Sequence, residues 1–138
     1  MVDIVGGCLC GNVRYRVDAE PVMTAVCHCA HCQKQTGTSF SILVAVPAGN
    51  LHTEGKPLGA YETTGESGQP LMRKFCTACG SPVVTEVAAT PDLAWIKAGT
   101  LDDTSWLQPQ LQMWCESAQP WVKLDDAIPA YARNPPLG

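Results

Sequence analysis

Eight cysteines dominate the chemistry that this sequence can support. All but one stand in three short groups, which have the spacings Cys8-x-Cys10, Cys27-x-Cys29-x-x-Cys32 and Cys76-x-x-Cys79. Closely spaced thiols are typical of zinc ligands, because one tight turn can present two thiolates to a tetrahedral ion at about 2.3 Å. Disulfides are disfavoured in a chain without a secretion signal. The spacing therefore predicts metal binding.

The three groups divide most simply into two zinc sites, since a tetrahedral ion needs four soft ligands and two cysteine pairs supply them. The two outer pairs form the first predicted site, which consists of Cys8, Cys10, Cys76 and Cys79. The central triplet forms the second predicted site, which consists of Cys27, Cys29 and Cys32. Structural zinc sites are saturated by protein, whereas catalytic sites keep one position open. The first site is therefore predicted to be structural and the second catalytic.

The predicted open site is suited to sulfur chemistry on small molecules. Three thiolates on a divalent zinc ion leave a net charge of about −1, against about −2 for four, so more Lewis acidity remains for an incoming group. Zinc also lowers the pKa of a coordinated thiol enough to deprotonate it. We therefore expect Cys27, Cys29 and Cys32 to carry catalysis, with a substrate sulfur held as the nucleophile.

Other interpretations of the same residues stay open. Cys29-x-x-Cys32 has a spacing that suits a thiol oxidoreductase, and the ligands could be partitioned differently between the ions. A non-catalytic two-zinc β module that binds a protein partner would close the second site with Cys115 or a histidine. We expect Cys115 to be a small core residue instead. His28 and His31 are expected to point away from the metal, with a proton-shuttle role as the alternative.

Length and composition predict one folded domain over residues 1–138. The chain is 46% hydrophobic and 16% charged, which excludes the disordered class. Its formal charge of −4 comes without a cluster of basic residues, so nucleic acid is not an expected partner. No apolar run reaches membrane-spanning length and the N-terminus does not resemble a signal peptide, so no membrane contact and a cytoplasmic location are expected. The oligomeric state is left open.

The expected elements are mainly β-strands. Alternation of apolar and polar residues predicts a strand over 12–17, and a β-rich run predicts another over 39–46, with the central triplet on a loop ahead of it. Segment 55–70 is rich in Gly and Pro and is expected to form hairpin and turn structure. The Cys76-x-x-Cys79 turn is expected between two strands, which is zinc-ribbon geometry. Further strands are predicted over 93–98 and 111–114.

Four segments together resemble the glutathione-dependent formaldehyde-activating enzyme family, whose members are also described as S-(hydroxymethyl)glutathione synthase-like. Residues 7–11 are similar to the family's opening G-x-C-x-C-G, and residues 27–40 to its central C-x-C-S-x-C-R-K-x-x-G-S-x-F. Residues 73–82 are similar to R-x-F-C-x-x-C-G-S-P, and residues 99–103 to G-x-L-D-D. The resemblance spans most of the chain.

The resemblance implies a single-domain, mainly β fold of the β-tent type, two zinc ions, and a carbon-sulfur lyase that interconverts formaldehyde and glutathione with S-(hydroxymethyl)glutathione. It also implies the same division into a structural zinc held by the outer pairs and a catalytic zinc held by the triplet. The chain departs from the family pattern in two places. Gln33 stands where Arg is usual. Near the C-terminus Gln112 stands where His is usual, and residues 117–121 lack the family's Lys or Arg, so basic groups that could meet a substrate carboxylate are absent.

Overall fold

Short runs of alternating apolar residues make β-strand the main regular structure of this chain. The computed structural model describes residues 3–65, 68–123 and 125–136. The strands are β1 (Ile4–Gly7), β2 (Val13–Val17), β3 (Met23–Cys27), β4 (Ser41–Pro47), β5 (Leu51–Gly55), β6 (Leu58–Thr64), β7 (Pro70–Cys76), β8 (Pro82–Val87), β9 (Leu93–Lys97) and β10 (Leu111–Met113). The helical elements are α1 (Ala30–Thr36) and the 3-10 turns Ala48–Asn50, Ala98–Thr100 and Cys115–Ser117.

The strands form two sheets. A three-stranded sheet has the order β1-β2-β5, and a seven-stranded sheet has the order β10-β3-β4-β9-β8-β7-β6. Neighbouring strands are antiparallel except that β10 lies parallel to β3. The parallel pair brings the chain after β10 next to the end of β3, where the central cysteines begin.

The seven-stranded sheet has an apolar cluster on each face. On β4 and β9, Val44 and Ile96 belong to the cluster that also contains Val13 from the three-stranded sheet. The alternate residues of the same strands, such as Ala45 next to Val44 and Trp95 next to Ile96, belong to a second cluster together with the central cysteines. Because neighbouring residues of a strand face opposite sides of the sheet, one face packs against the small sheet and the other is left for the site.

The predicted mainly β fold of the tent type with zinc-ribbon-like knuckles is confirmed. Strands β2, β4, β9 and β10 fall within one residue or two of the predicted bounds. Segment 55–70 contains strand β6, which pairs antiparallel with the next strand β7, so the predicted hairpin is present; its edge position in the sheet tolerates its polar composition. One local expectation is wrong. The central cysteines lie on a strand end and a helix start, and not on a loop. No helix in the described ranges is long and apolar enough to span a membrane.

Candidate functional site

The two outer cysteine pairs meet in one cluster, although more than sixty residues separate them in sequence. The four Sγ atoms of Cys8, Cys10, Cys76 and Cys79 all lie within 4.8 Å of one another. The distance from Cys8 Sγ to Cys10 Sγ is 3.6 Å, and that from Cys10 Sγ to Cys76 Sγ is 3.8 Å. Tetrahedral bonds of about 2.3 Å would separate two sulfurs by about 3.8 Å, so the cluster fits a metal ion without rearrangement.

Glycine shapes both turns that build this first cluster. Gly11 and Gly80 follow the second cysteine of each pair and have φ angles of 81° and 80°, which glycine adopts without steric cost. The Gly80 N–H donates to the Cys76 carbonyl at 2.8 Å and closes the turn. Backbone N–H groups also point at sulfur, since Val13 N lies 3.3 Å from Cys8 Sγ. Such donors stabilise thiolates, which are the form that binds metal.

The central cysteines form the second cluster. Cys27 ends β3, Cys29 is the N-cap of α1, and Cys32 lies in the first turn of that helix. The Cys32 N–H donates to Cys29 Sγ at 3.2 Å, so the cap itself fixes the spacing of two thiols. The three Sγ atoms lie within 4.8 Å of one another, and no fourth Cys, His, Asp or Glu of the described residues joins the group.

Two buried cations stand beside this second cluster. Lys97 is 5% exposed, and its Nζ donates to Ser41 Oγ at 3.0 Å. Arg73 is 6% exposed, with Nη1 3.1 Å from Gln35 Oε1 and 3.9 Å from Cys32 Sγ. Buried charges require partners, and here the acidic partners are thiols. Neither residue is among the site residues predicted from the sequence, although Lys97 interrupts an apolar strand and Arg73 belongs to the motif over residues 73–82.

The electrostatics of the second cluster favour a thiolate. Hydrogen bonds from the thiols of Cys27 and Cys29 lower the pKa of Cys32 to about 2, and the charges of Lys97 and Arg73 act in the same direction. The pKa of Cys27 is raised instead, because its neighbours hold the first negative charge and the site is buried. Burial lowers the pKa of Lys97, opposed by the nearby Cys32 thiolate.

A cavity of about 640 Å³ opens onto the second cluster. Its wall is mostly apolar and includes Leu43, Leu71, Val87, Trp95, Met113 and Trp114. Its polar lining includes the three cysteines and also Arg73, Thr85 and Lys97. Trp114 has a left-handed backbone with φ of 57°, and its Nε1 donates to Asn134 Oδ1 at 2.8 Å. A volume of this size accepts a molecule much larger than water.

The histidines and the lone cysteine do not complete the second cluster. His28 is 1% exposed, and its ring contacts Phe40 at 5.5 Å between centroids while Nε2 lies 3.2 Å from Gln112 Oε1. His31 is exposed at the edge of the cavity. Cys115 is half-buried and belongs to neither cluster, whereas the sequence predicts a core residue there.

The two glutamines that replace family basic residues hold segments together. Gln33 Nε2 donates to the carbonyls of His28 at 2.7 Å and Ser117 at 3.0 Å. Gln112 Nε2 donates to the carbonyl of Asp125 at 3.3 Å. Neither glutamine is among the cavity-lining residues. Both therefore act in packing, and the cations of the cavity come from Arg73 and Lys97.

The fold and the two clusters define a mainly β protein equipped to hold two metal ions through cysteine. The sequence profile of the glutathione-dependent formaldehyde-activating enzyme family matches residues 3–117, and the chain belongs to this family. It is 26% identical over 125 residues to a Halomonas elongata protein named "Putative glutathione-dependent formaldehyde-activating enzyme", covering 87% of this chain and 80% of that protein.

A solved structure supports the fold independently. The crystal structure of a Rhodobacter sphaeroides protein superposes with a TM-score of 0.59 at 17% sequence identity, covering 91% of this chain and 98% of that one. At this identity the similarity establishes the fold alone.

Proposed function

We propose that the protein is a zinc-dependent carbon-sulfur lyase that interconverts formaldehyde and glutathione with S-(hydroxymethyl)glutathione. One observation carries the proposal: a three-cysteine cluster without a fourth protein ligand among the described residues opens onto a cavity beside two buried cations. The family description supports formaldehyde and glutathione as the reactants. In this proposal residues 1–138 form a single zinc domain that works in the cytoplasm, where thiols stay reduced.

The two clusters have different roles in the proposal. The outer cluster of Cys8, Cys10, Cys76 and Cys79 holds a structural zinc ion that ties the end of β1 to the end of β7. The central cluster of Cys27, Cys29 and Cys32 holds the catalytic zinc ion. A zinc ion bound there would stabilise the thiolate form of an added thiol at the position that the protein leaves open.

The buried cations support an anionic fourth ligand. Three cysteine thiolates and a divalent ion have a net charge of about −1, and an added substrate thiolate makes it about −2. Arg73 and Lys97 are buried and carry two positive charges beside the cluster, so they offset this charge. The arrangement favours glutathione as its thiolate.

The residues of the cavity can assist both directions of the reaction. In synthesis the glutathione sulfur bonds to the formaldehyde carbon, the carbonyl π pair moves to oxygen, and that oxygen takes a proton while the thiol loses one. Lys97 Nζ uses one donor on Ser41 and can offer another to the developing oxyanion. The apolar wall gives the small aldehyde a surface to pack against near the sulfur. In the lyase direction the carbon–sulfur bond breaks and the same groups act in reverse.

The proposal is tested by the rate of exchange between free formaldehyde and S-(hydroxymethyl)glutathione, measured by NMR exchange spectroscopy at equilibrium. Zinc-loaded protein should raise this rate above that of the buffer. Cys32→Ser should abolish the rate increase and lose one equivalent of zinc, while its circular dichroism spectrum remains that of a folded protein. Cys115→Ser is the matched control, because Cys115 lies outside both clusters, and it should leave the rate unchanged. Equal rates with and without the wild-type protein would refute the proposal.

A further inference from the structure

Two polar atoms in the cavity region are buried without a hydrogen-bond partner among the described residues. They are Nε of Arg73 and Oγ1 of Thr85. Arg73 is 6% exposed and Thr85 is 3% exposed, and both residues line the cavity. Leaving a buried donor unpaired is costly, so such atoms are rare in native structures and call for an explanation.

The sheet holds the two residues side by side. Arg73 on β7 pairs directly with Thr85 on β8, so their side chains stand on the same face with Cβ atoms about 5 Å apart. The hydrogen bond from Arg73 Nη1 to Gln35 Oε1 fixes one end of the guanidinium group and leaves Nε for another acceptor. A carboxylate has two oxygens and can accept from a guanidinium and a hydroxyl together.

We propose that Arg73 and Thr85 form a subsite for a carboxylate of the thiol substrate, an inference that rests on the proposed function. Arg73 Nη1 lies 3.9 Å from Cys32 Sγ, and both residues line the cavity onto which the second cluster opens, so the subsite adjoins that cluster. The carboxylate therefore belongs to the same molecule as the bound sulfur. Formaldehyde has no such group, whereas glutathione has two. The subsite supplies the basic contact that Gln33 and Gln112 do not.

A second hydroxyl provides a control within the same sheet. Thr63 on β6 also has a buried Oγ1 without a hydrogen-bond partner in the described chain. It lines a separate cavity on the other side of Arg73, together with Tyr61 and Phe75. Thr63→Val and Thr85→Val therefore remove the same kind of group on opposite sides of one guanidinium.

The test compares two short thiols that differ in the carboxylate, 3-mercaptopropionate and 3-mercaptopropan-1-ol. Their affinities for the zinc-loaded full-length protein are measured by isothermal titration calorimetry. The wild type should bind the acid at least about tenfold more tightly than the alcohol, because hydrogen bonds to a charged acceptor are the strong ones. Thr85→Val should lower the affinity for 3-mercaptopropionate about tenfold and leave the affinity for 3-mercaptopropan-1-ol unchanged. Thr63→Val should keep the wild-type preference, and so should Thr85→Ser, which retains the hydroxyl and guards against a misfolded valine variant.

Each contrary result has a separate meaning. Equal affinity of the wild type for both thiols would overturn the subsite and leave the proposed function intact. Loss of the preference in Thr63→Val instead of Thr85→Val would also overturn it, because the acceptor would then lie on the other side of Arg73. Equal weakening of both thiols by Thr85→Val would show that the hydroxyl does not read the carboxylate. Failure of the neutral alcohol to bind at all would refute the thiol site and the subsite together.

Discussion

Removal of the Arg73 charge should weaken the binding of any thiol at the second cluster. Arg73 Nη1 lies 3.9 Å from Cys32 Sγ, so a thiolate added at the second cluster would lie within about 6 Å of this charge. At a separation of about 6 Å and an effective dielectric constant of about 20, two unit charges interact by about 3 kcal/mol. Because each 1.4 kcal/mol is about a factor of ten, Arg73→Met should raise the Kd of a bound thiolate about a hundredfold.

The assay titrates the neutral thiol 3-mercaptopropan-1-ol into zinc-loaded protein, so a carboxylate cannot contribute. Arg73→Lys keeps the positive charge but loses the planar guanidinium geometry, so its Kd for the thiol should stay within about tenfold of the wild-type value. Arg16→Met removes an exposed arginine on β2 and should have no effect. Zinc content is measured for each variant. Wild-type affinity in an Arg73→Met protein that retains both zinc ions would refute the electrostatic reasoning.

Three further predictions concern the metal clusters, the core and the cavity. Cys76→Ser should unfold the domain, because metal binding that joins β1 to β7 contributes folding free energy on the order of 10 kcal/mol. Cys29→Ser should lose one zinc ion and stay folded. Circular dichroism and metal analysis check both variants, and a folded Cys76→Ser protein would contradict the structural role of the first cluster. Burial raises the pKa of Tyr15 to about 12, so the free energy of unfolding should fall between about pH 10 and 12, where the unfolded phenol ionises and the folded one does not, by at most about 1.4 kcal/mol per pH unit. In Tyr15→Phe, the free energy of unfolding measured by urea titration should fall less steeply over this pH range. An unchanged pH dependence would show that other groups cause the fall. Trp95→Ala should destabilise the fold by about 3–5 kcal/mol, because Trp95 is 5% exposed in the second apolar cluster; a change below about 1 kcal/mol in the same titrations would mean that the cluster collapses around the gap.

The ligand groups and most strands could be predicted from the sequence because local spacing encodes them. A Cys-x-x-Cys turn places two thiols on one side whatever the fold, and Gly80 marks the left-handed residue that closes it. Alternation over residues 13–17 is visible without any tertiary contact. The division of seven cysteines into two clusters followed from ligand number, and the structure brings the same residues together.

The features that the sequence alone does not predict depend on contacts between residues far apart in the chain. Arg73 and Thr85 become neighbours only through the register of β7 with β8, and the burial of Lys97 depends on the strands around it. Helix α1 has only seven residues, too few for a clear periodic pattern, so the sequence predicts a loop there. The packing of Gln33 against the Ser117 carbonyl joins positions 84 residues apart. Nothing in local sequence separates such a glutamine from a solvated one.

Native mass spectrometry of the freshly purified, reduced protein tests the central claim most directly, because one spectrum reports the metal count and any bound thiol. We expect two zinc ions per chain, and one glutathione per chain when glutathione is added. Cys32→Ser should hold one zinc and no glutathione. Two zinc ions without a glutathione adduct would contradict glutathione as the ligand of the open site. A single zinc in the wild type would contradict the second metal site itself.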